Sequence, residues 1–167
     1  MSQPILSAVL FDLDGTLIDT APDFIRIIHL LCQEDGVTPP TPEQIRVQVS
    51  EGARAMVRLI HPEMAMDSPE LLQYRDRFLA YYGAQIAVDT QLFEGMDDLL
   101  TSLEQQGIAW GIVTNKPRHL SVALLAALGL TERCAVLVCP DDVRRTKPDP
   151  EPIQRVFKAI ASPVSER

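Results

Sequence analysis

The stretch VLFDLDGTLIDT, Val9 to Thr20, decides how this chain is to be read. An apolar run, AVLF from Ala8 to Phe11, stops abruptly on Asp12, Asp14 and Thr16, with Gly15 among them. A short continuous apolar run bounded by polar residues suits a strand buried on both faces, as in parallel sheets. Strand geometry continued past Phe11 puts Asp12 and Asp14 on one side, about 6.6 Å apart along the chain. Two carboxylates so placed can divide labour. One stays ionised as a nucleophile or metal ligand, and the other can carry a proton. Gly15 permits the turn that lets a ligand approach the backbone closely. Thr16 can cap that turn or hold the second acid.

Two more runs of the same kind follow, IAWGIVT from Ile108 to Thr114 and AVLVC from Ala135 to Cys139. Between them HLSVALLAALGL, His119 to Leu130, has apolar residues at helical spacing and Gly129 as a C-cap. GMDDLLTSLEQQG, Gly95 to Gly107, is an amphipathic helix ahead of the second run. Strands alternating with helices of about a dozen residues predict right-handed βαβ units and a parallel sheet.

The segment from Ile18 to about Ile86 is different and carries no strand pattern. Phe24, Ile27, Ile28 and Leu31 sit at i, i+3, i+4 and i+7 of a helix that ends at Gly36. Thr41-Pro42 and Ser68-Pro69 each read as an N-cap followed by proline at the first helical position. The proline-rich joints VTPPTP and HPEMAMDSP separate the helices. Three or four helices are therefore inserted between the first strand and the rest of the sheet.

Composition narrows the function. The 167 residues are 46% hydrophobic and 23% charged, an ordinary globular balance with a formal net charge of -8. An acidic chain without a basic run is not built to bind phosphate backbones. Cys32, Cys134 and Cys139 are widely spaced, form no CxxC and read as small buried hydrophobes in a reducing compartment. No basic stretch precedes the first apolar run, so no signal peptide is expected. No segment approaches the roughly 18 apolar residues of a membrane span, and a cytoplasmic protein is expected.

Ligands of a parallel sheet bind at the carboxyl ends of its strands. Three strand ends here carry chemistry: Asp12-Leu13-Asp14, Thr114-Asn115-Lys116, and a loop containing Lys147. Thr114 brings a hydroxyl and nearby backbone N–H groups for an oxyanion. Lys147 brings a point charge suited to phosphate and to a neighbouring carboxylate.

In this order the residues resemble the haloacid dehalogenase superfamily: DLDGTL (Asp12 to Leu17) its first motif, VTNK (Val113 to Lys116) its second, KPDP (Lys147 to Pro150) its third. The resemblance implies an α/β fold, a Rossmann-like core of residues 1–17 and 90–167 with an inserted helical cap of residues 18–89. It implies that Asp12 attacks a phosphate monoester to form an aspartyl-phosphate. Asp14 would protonate the leaving alcohol and then activate water. Thr114, Asn115 and Lys147 would hold the phosphoryl oxygens. Mg2+ would sit on the Asp12 carboxylate and the Asp14 main-chain carbonyl. Related dehalogenases and phosphonatases lack an acid at the Asp14 position, which favours a phosphate ester as substrate.

APDF (Ala21 to Phe24), GARAMV (Gly52 to Val57) and CPDDV (Cys139 to Val143) resemble the phosphoglycolate phosphatase group. The implied substrate is a small phosphorylated metabolite of the phosphoglycolate or N-acetylmuramic acid 6-phosphate type, and Arg54 is the residue the cap would turn toward it. A catalytically dead phospholigand-binding module and a sugar phosphomutase are the competing readings.

The family's fourth motif, a Gly-Asp followed by a second acid, has no counterpart between Pro148 and Arg167. The sequence therefore leads to the expectation of a C-terminally incomplete core, impaired magnesium binding and little turnover. It also leads to an exposed AVLF edge that invites self-association. Asp141 and Asp142 read as a capped turn, not as metal ligands.

Overall fold

A computed structural model describes residues 6–161. Its strands are β1 Ala8–Phe11, β2 Ile18–Asp19, β3 Gln91–Leu92, β4 Ala109–Val113 and β5 Val136–Val138. Its α-helices are α1 Ala21–Asp35, α2 Pro42–Gln48, α3 Ala53–Arg58, α4 Pro69–Ala84, α5 Met96–Gln105, α6 Arg118–Ala127 and α7 Glu151–Ala161. The described chain forms two compact units, residues 6–17 with 92–161 and residues 18–91.

The first unit is the α/β one. Its sheet runs β1-β4-β5, all parallel, as the three apolar runs require. The register pairs Ala8 with Ala109 and Phe11 with Ile112, then Gly111 with Val136 and Val113 with Val138. The three carboxyl ends are thus level, so Asp12, Thr114 and Cys139 leave the sheet at the same end. Gly111 makes the β4–β5 contact possible. A Cβ there would lie 2.5 Å from Val136 Cγ1 and 2.8 Å from the Val136 carbonyl oxygen.

One face of this sheet is closed by α7, through a cluster of Val113, Val138 and Val156 with Leu10, Val136 and Val143 against it. Trp110 is buried, packs edge-on against Phe11 and donates its indole N–H to Glu104 at 2.9 Å. A buried indole needs such a partner. Among the described residues β1 lies at one edge of the sheet, with β4 on its other side.

The second unit is the helical one. In α1 the i, i+3, i+4, i+7 residues Phe24, Ile27, Ile28 and Leu31 are all buried. The helix ends at Gly36, whose left-handed φ of 66° lets its N–H reach the carbonyls of Cys32 and Gln33. Phe24 packs on Phe78 and Tyr82 of α4. Thr41 caps α2 in a capping box with Gln44, and Ser68 caps α4 by accepting the Leu71 N–H.

The stretch from Thr41 to Ile60 is divided into α2, a 3₁₀ turn at Val49–Glu51 and α3, because Gly52 takes φ 91° and ψ 178°, outside any helix. One detail differs from the sequence reading. The segment read as strand-free contains β2, which pairs with β3 in a two-stranded ribbon. Each is only two residues long, too short to show a period of two. Among the described residues no helix is long and apolar enough to cross a membrane. All three cysteines are free, with Cys32 and Cys139 buried.

Candidate active site

Asp12 follows the last residue of β1 and opens a tight turn. The Leu17 N–H donates to the Leu13 carbonyl at 3.1 Å, and Gly15 at φ 78° makes the left-handed step. Leu13 and Leu17 are fully buried and pin the turn from beneath. Asp12 and Asp14, which alternate with Leu13, stay partly accessible, with side chains 35% and 15% exposed.

Each carboxylate meets one lysine. Lys147 Nζ donates to Asp12 Oδ1 at 2.8 Å and to the carbonyl of Val113, at the end of β4, at 2.7 Å. Lys116 Nζ donates to Asp14 Oδ1 at 3.0 Å. The Leu13 N–H also donates to Asp12 Oδ1, at 2.8 Å. Both contacts to Asp12 therefore fall on one oxygen. Oδ2 has no protein donor among the described residues and remains available to an incoming electrophile.

The strand exit after β4 sets the rest. Thr114 is buried, ties its N–H to Val138 at 3.0 Å, and accepts the Lys116 N–H on its hydroxyl oxygen at 3.1 Å. That hydroxyl still carries a proton to donate. Asn115 clamps the third loop: its Nδ2 donates to the Lys147 carbonyl at 3.0 Å, and its Oδ1 accepts the Lys147 N–H at 3.2 Å. The side-chain amide expected on a phosphoryl oxygen is thus directed at the Lys147 backbone.

The structure brings Asp12, Asp14, Thr114, Asn115 and Lys147 together at one end of the sheet. Arg54 belongs to the other compact unit, where it is an exposed residue of the short helix α3. Asp141 and Asp142 lie in a 3₁₀ turn, and Asp142 caps it by accepting the Cys139 N–H at 2.8 Å.

Lys116 was missed as a site residue although it lies inside the quoted VTNK stretch. Its side chain is only 6% exposed. A lysine that follows a buried strand, instead of ending a helix, is the signal that could have singled it out.

For a metal, the Asp12 carboxylate and the Asp14 main-chain carbonyl are hard oxygen donors of the kind magnesium takes. A magnesium bound by one or two carboxylates completes its shell with water and substrate phosphate. Among the described residues no group of three His, Cys, Asp or Glu side chains converges. The donor set fits the ion in kind and leaves much of its shell to water and phosphate.

The family model for haloacid dehalogenase-like hydrolases matches residues 9–166. The chain belongs to this family. It is 46% identical over 153 residues to the N-acetylmuramic acid 6-phosphate phosphatase of Pseudomonas aeruginosa, a match covering 92% of this chain and 67% of that protein. It is 42% identical over 146 residues to a phosphoglycolate phosphatase of Xanthomonas campestris pv. campestris, covering 87% of this chain and 65% of that one. The chain thus spans about two thirds of the length of these curated relatives. A crystal structure from Bacteroides fragilis, described as a haloacid dehalogenase-like hydrolase, superposes with a TM-score of 0.80 at 22% identity, over 93% of this chain and 73% of that one. That likeness is one of fold. The haloacid dehalogenase-like α/β core is therefore established, and the curated relatives are phosphatases.

Proposed function

We propose that this site hydrolyses the phosphate monoester of a small metabolite, of the N-acetylmuramic acid 6-phosphate or phosphoglycolate type, through an aspartyl-phosphate on Asp12. The observation that carries the reading is the Asp12 carboxylate, fixed through Oδ1 by Lys147 and the Leu13 N–H with Oδ2 left open. Names of relatives support the phosphate ester and these two substrates.

Two carboxylates alone would repel a phosphate dianion. Lys147 and Lys116 place two ammonium groups against them and offset that repulsion. Asp12 Oδ2 attacks phosphorus in line with the ester oxygen. The P–O bond to the leaving group breaks, and Asp14 gives that oxygen its proton. Water then attacks the aspartyl-phosphate, Asp14 takes a proton from it, and Asp12 returns as carboxylate with inorganic phosphate. The Thr114 hydroxyl and Lys147 Nζ hold phosphoryl oxygens, and Asn115 keeps Lys147 in place. Magnesium, held by the Asp12 carboxylate and the Asp14 carbonyl, supplies Lewis-acid neutralisation of phosphate charge when bound. Arg54 serves substrate selection from the helical unit.

The test is phosphate release from both named substrates with magnesium present, together with a search for a phosphoryl adduct on the Asp12 peptide after rapid acid quench. An adduct on Asp12 is expected. Turnover with the adduct on another residue, or retained by Asp12→Asn, refutes the mechanism. Conversion to an isomeric sugar phosphate without phosphate release would make the protein a mutase.

A further inference from the structure

Lys147 brings a positive charge to Asp12, yet the segment that presents it has little apolar support. Val143 packs against the cluster of Val113, Val138 and Val156, and Pro152 is buried in the first turn of α7. Between these two points no side chain is buried, and Arg144, Arg145, Thr146, Pro148 and Pro150 are exposed. An ammonium group that has to meet a phosphoryl oxygen must be held within roughly 0.5 Å of its working position. Hydrogen bonds have to provide that precision here, because packing does not.

Glu151, the first residue of α7, organises them. Its Oε1 accepts the Arg144 N–H and its Oε2 the Arg145 N–H, both at 2.9 Å. The side chain reaches back over seven and six residues and closes the segment into a ring that contains Lys147. Inside the ring the Asp149 N–H donates to the Thr146 carbonyl at 3.0 Å, and the Glu151 N–H donates to Asp149 Oδ1 at 2.9 Å. Asn115 grips the ring from outside, at the Lys147 backbone. An acid in the first turn of a helix already has a local reason, the positive end of the helix dipole. That reason asks only for charge. It does not ask that the two oxygens be divided between two consecutive N–H groups at the far end of a loop.

We propose that Glu151 is a positioning residue for the phosphoryl step: it fixes segment 144–151 so that Lys147 Nζ stands against Asp12 when a phosphoryl oxygen arrives. Its kinetic consequence rests on the phosphatase reading, whereas its hold on the loop does not. With the ring opened, Lys147 can still find Asp12 Oδ1 and the Val113 carbonyl, its present acceptors. What is lost is a single prepared position, and that loss falls on the reacting complex more than on the resting site.

The test compares Glu151→Ala and Glu151→Gln with the wild type in the full chain. Glu151→Ala removes both acceptor oxygens and one negative charge. Loss of the charge alone would favour a phosphate dianion and lower KM. Loss of position should instead lower kcat/KM by about tenfold, carried mainly by kcat. Glu151→Gln loses the same charge but keeps one acceptor oxygen, so its kcat/KM should fall between the two. 15N relaxation reads the ring without any turnover. Order parameters at the Lys147 and Asp149 amides are expected to drop from about 0.85 to about 0.6 in Glu151→Ala, with those of Val138 and Val156 unmoved. Unmoved order parameters at Lys147 overturn the proposal. So does a kcat/KM of Glu151→Ala at or above the wild-type value, and so do equal losses in the two variants. A wild type that releases no phosphate defeats the phosphatase reading alone, and the relaxation data then decide whether Glu151 holds Lys147.

Discussion

The two units of this protein treat a carboxylate in opposite ways. In the helical unit, Asp23 is completely buried in the first turn of α1. It accepts from Arg26 at 2.8 Å, from the N–H groups of Asp89 and Thr90 at 3.0 and 3.1 Å, and from the Thr90 hydroxyl at 2.6 Å. Both of its oxygens are used. In the α/β unit, Asp12 is 35% exposed and takes both of its contacts on a single oxygen. A saturated acid closes a structure, here by tying the first helix of the unit to the segment that leaves it. An acid with an open oxygen is free to react. Burial alone would raise the Asp23 carboxyl. The bonds from Thr90, Arg26 and Asp89 outweigh that and hold it below its usual value. That is the signature of a group kept ionised for stability, not for chemistry.

The contrast is broken most severely if Asp12 proves dispensable. Asp12→Asn keeps the shape and an acceptor for Lys147 but cannot act as the nucleophile. Phosphate release should fall by at least about 10⁴-fold. The urea midpoint should shift by no more than the roughly 0–1 kcal/mol of a part-exposed ion pair. Steady-state phosphate release and urea unfolding of one preparation check both halves. A large stability loss would put Asp12 in the same class as Asp23.

Asp23→Ala should do the reverse. It leaves the Thr90 hydroxyl and two backbone N–H groups without their acceptor and removes one of the partners of Arg26, a loss of about 3 kcal/mol. Urea unfolding measures it, and a change under about 1 kcal/mol would remove Asp23 from its structural role. The same residue fixes a pH dependence. Its carboxyl titrates lower in the folded chain than in the unfolded one, so its stabilisation is fully present above the unfolded value, near pH 3.8. It is lost as pH falls through the lower, folded-state value. Between about pH 6 and about pH 3 the urea midpoint of the wild type should therefore drop more than that of Asp23→Asn. Equal drops would contradict the assignment.

The two acids were not equally legible. Asp12 and Asp14 stand out because they end an apolar run, and AVLF, IAWGIVT and AVLVC placed the parallel strands to within a residue or so at each end. Apolar continuity is a local signal. Asp23 is hidden in APDF, where an acid in the first turn of a helix already has a sufficient local reason. Its other donors, beyond Arg26 on the same helix, lie 66 and 67 residues away, and no periodicity encodes that distance. Lys116 was hidden differently. Its position inside VTNK was visible, but its burial and its reach to Asp14, 102 residues away in sequence, are products of the β1–β4 register. Local patterns fix elements, whereas the pairing of charges waits on topology.

Asn115 tests the boundary between the two classes. Its amide is engaged through both its nitrogen and its oxygen, one bond each to the Lys147 backbone, yet it lies on an exposed loop and serves a residue that faces Asp12. If such engagement always meant stability, Asn115→Ala would unfold more easily. An exposed loop clamp competes with water, so the expected stability change stays under about 1 kcal/mol. What the clamp sets is where Lys147 stands when phosphate arrives. Removing it should lower kcat/KM by about tenfold, the consequence of a misplaced charge rather than a missing one. Asn115→Asp, which keeps the acceptor for the Lys147 N–H and loses the donor to its carbonyl, should fall between the two. Steady-state kinetics and urea unfolding of the three proteins decide it. Unchanged kinetics with lowered stability would move Asn115 to the side of Asp23.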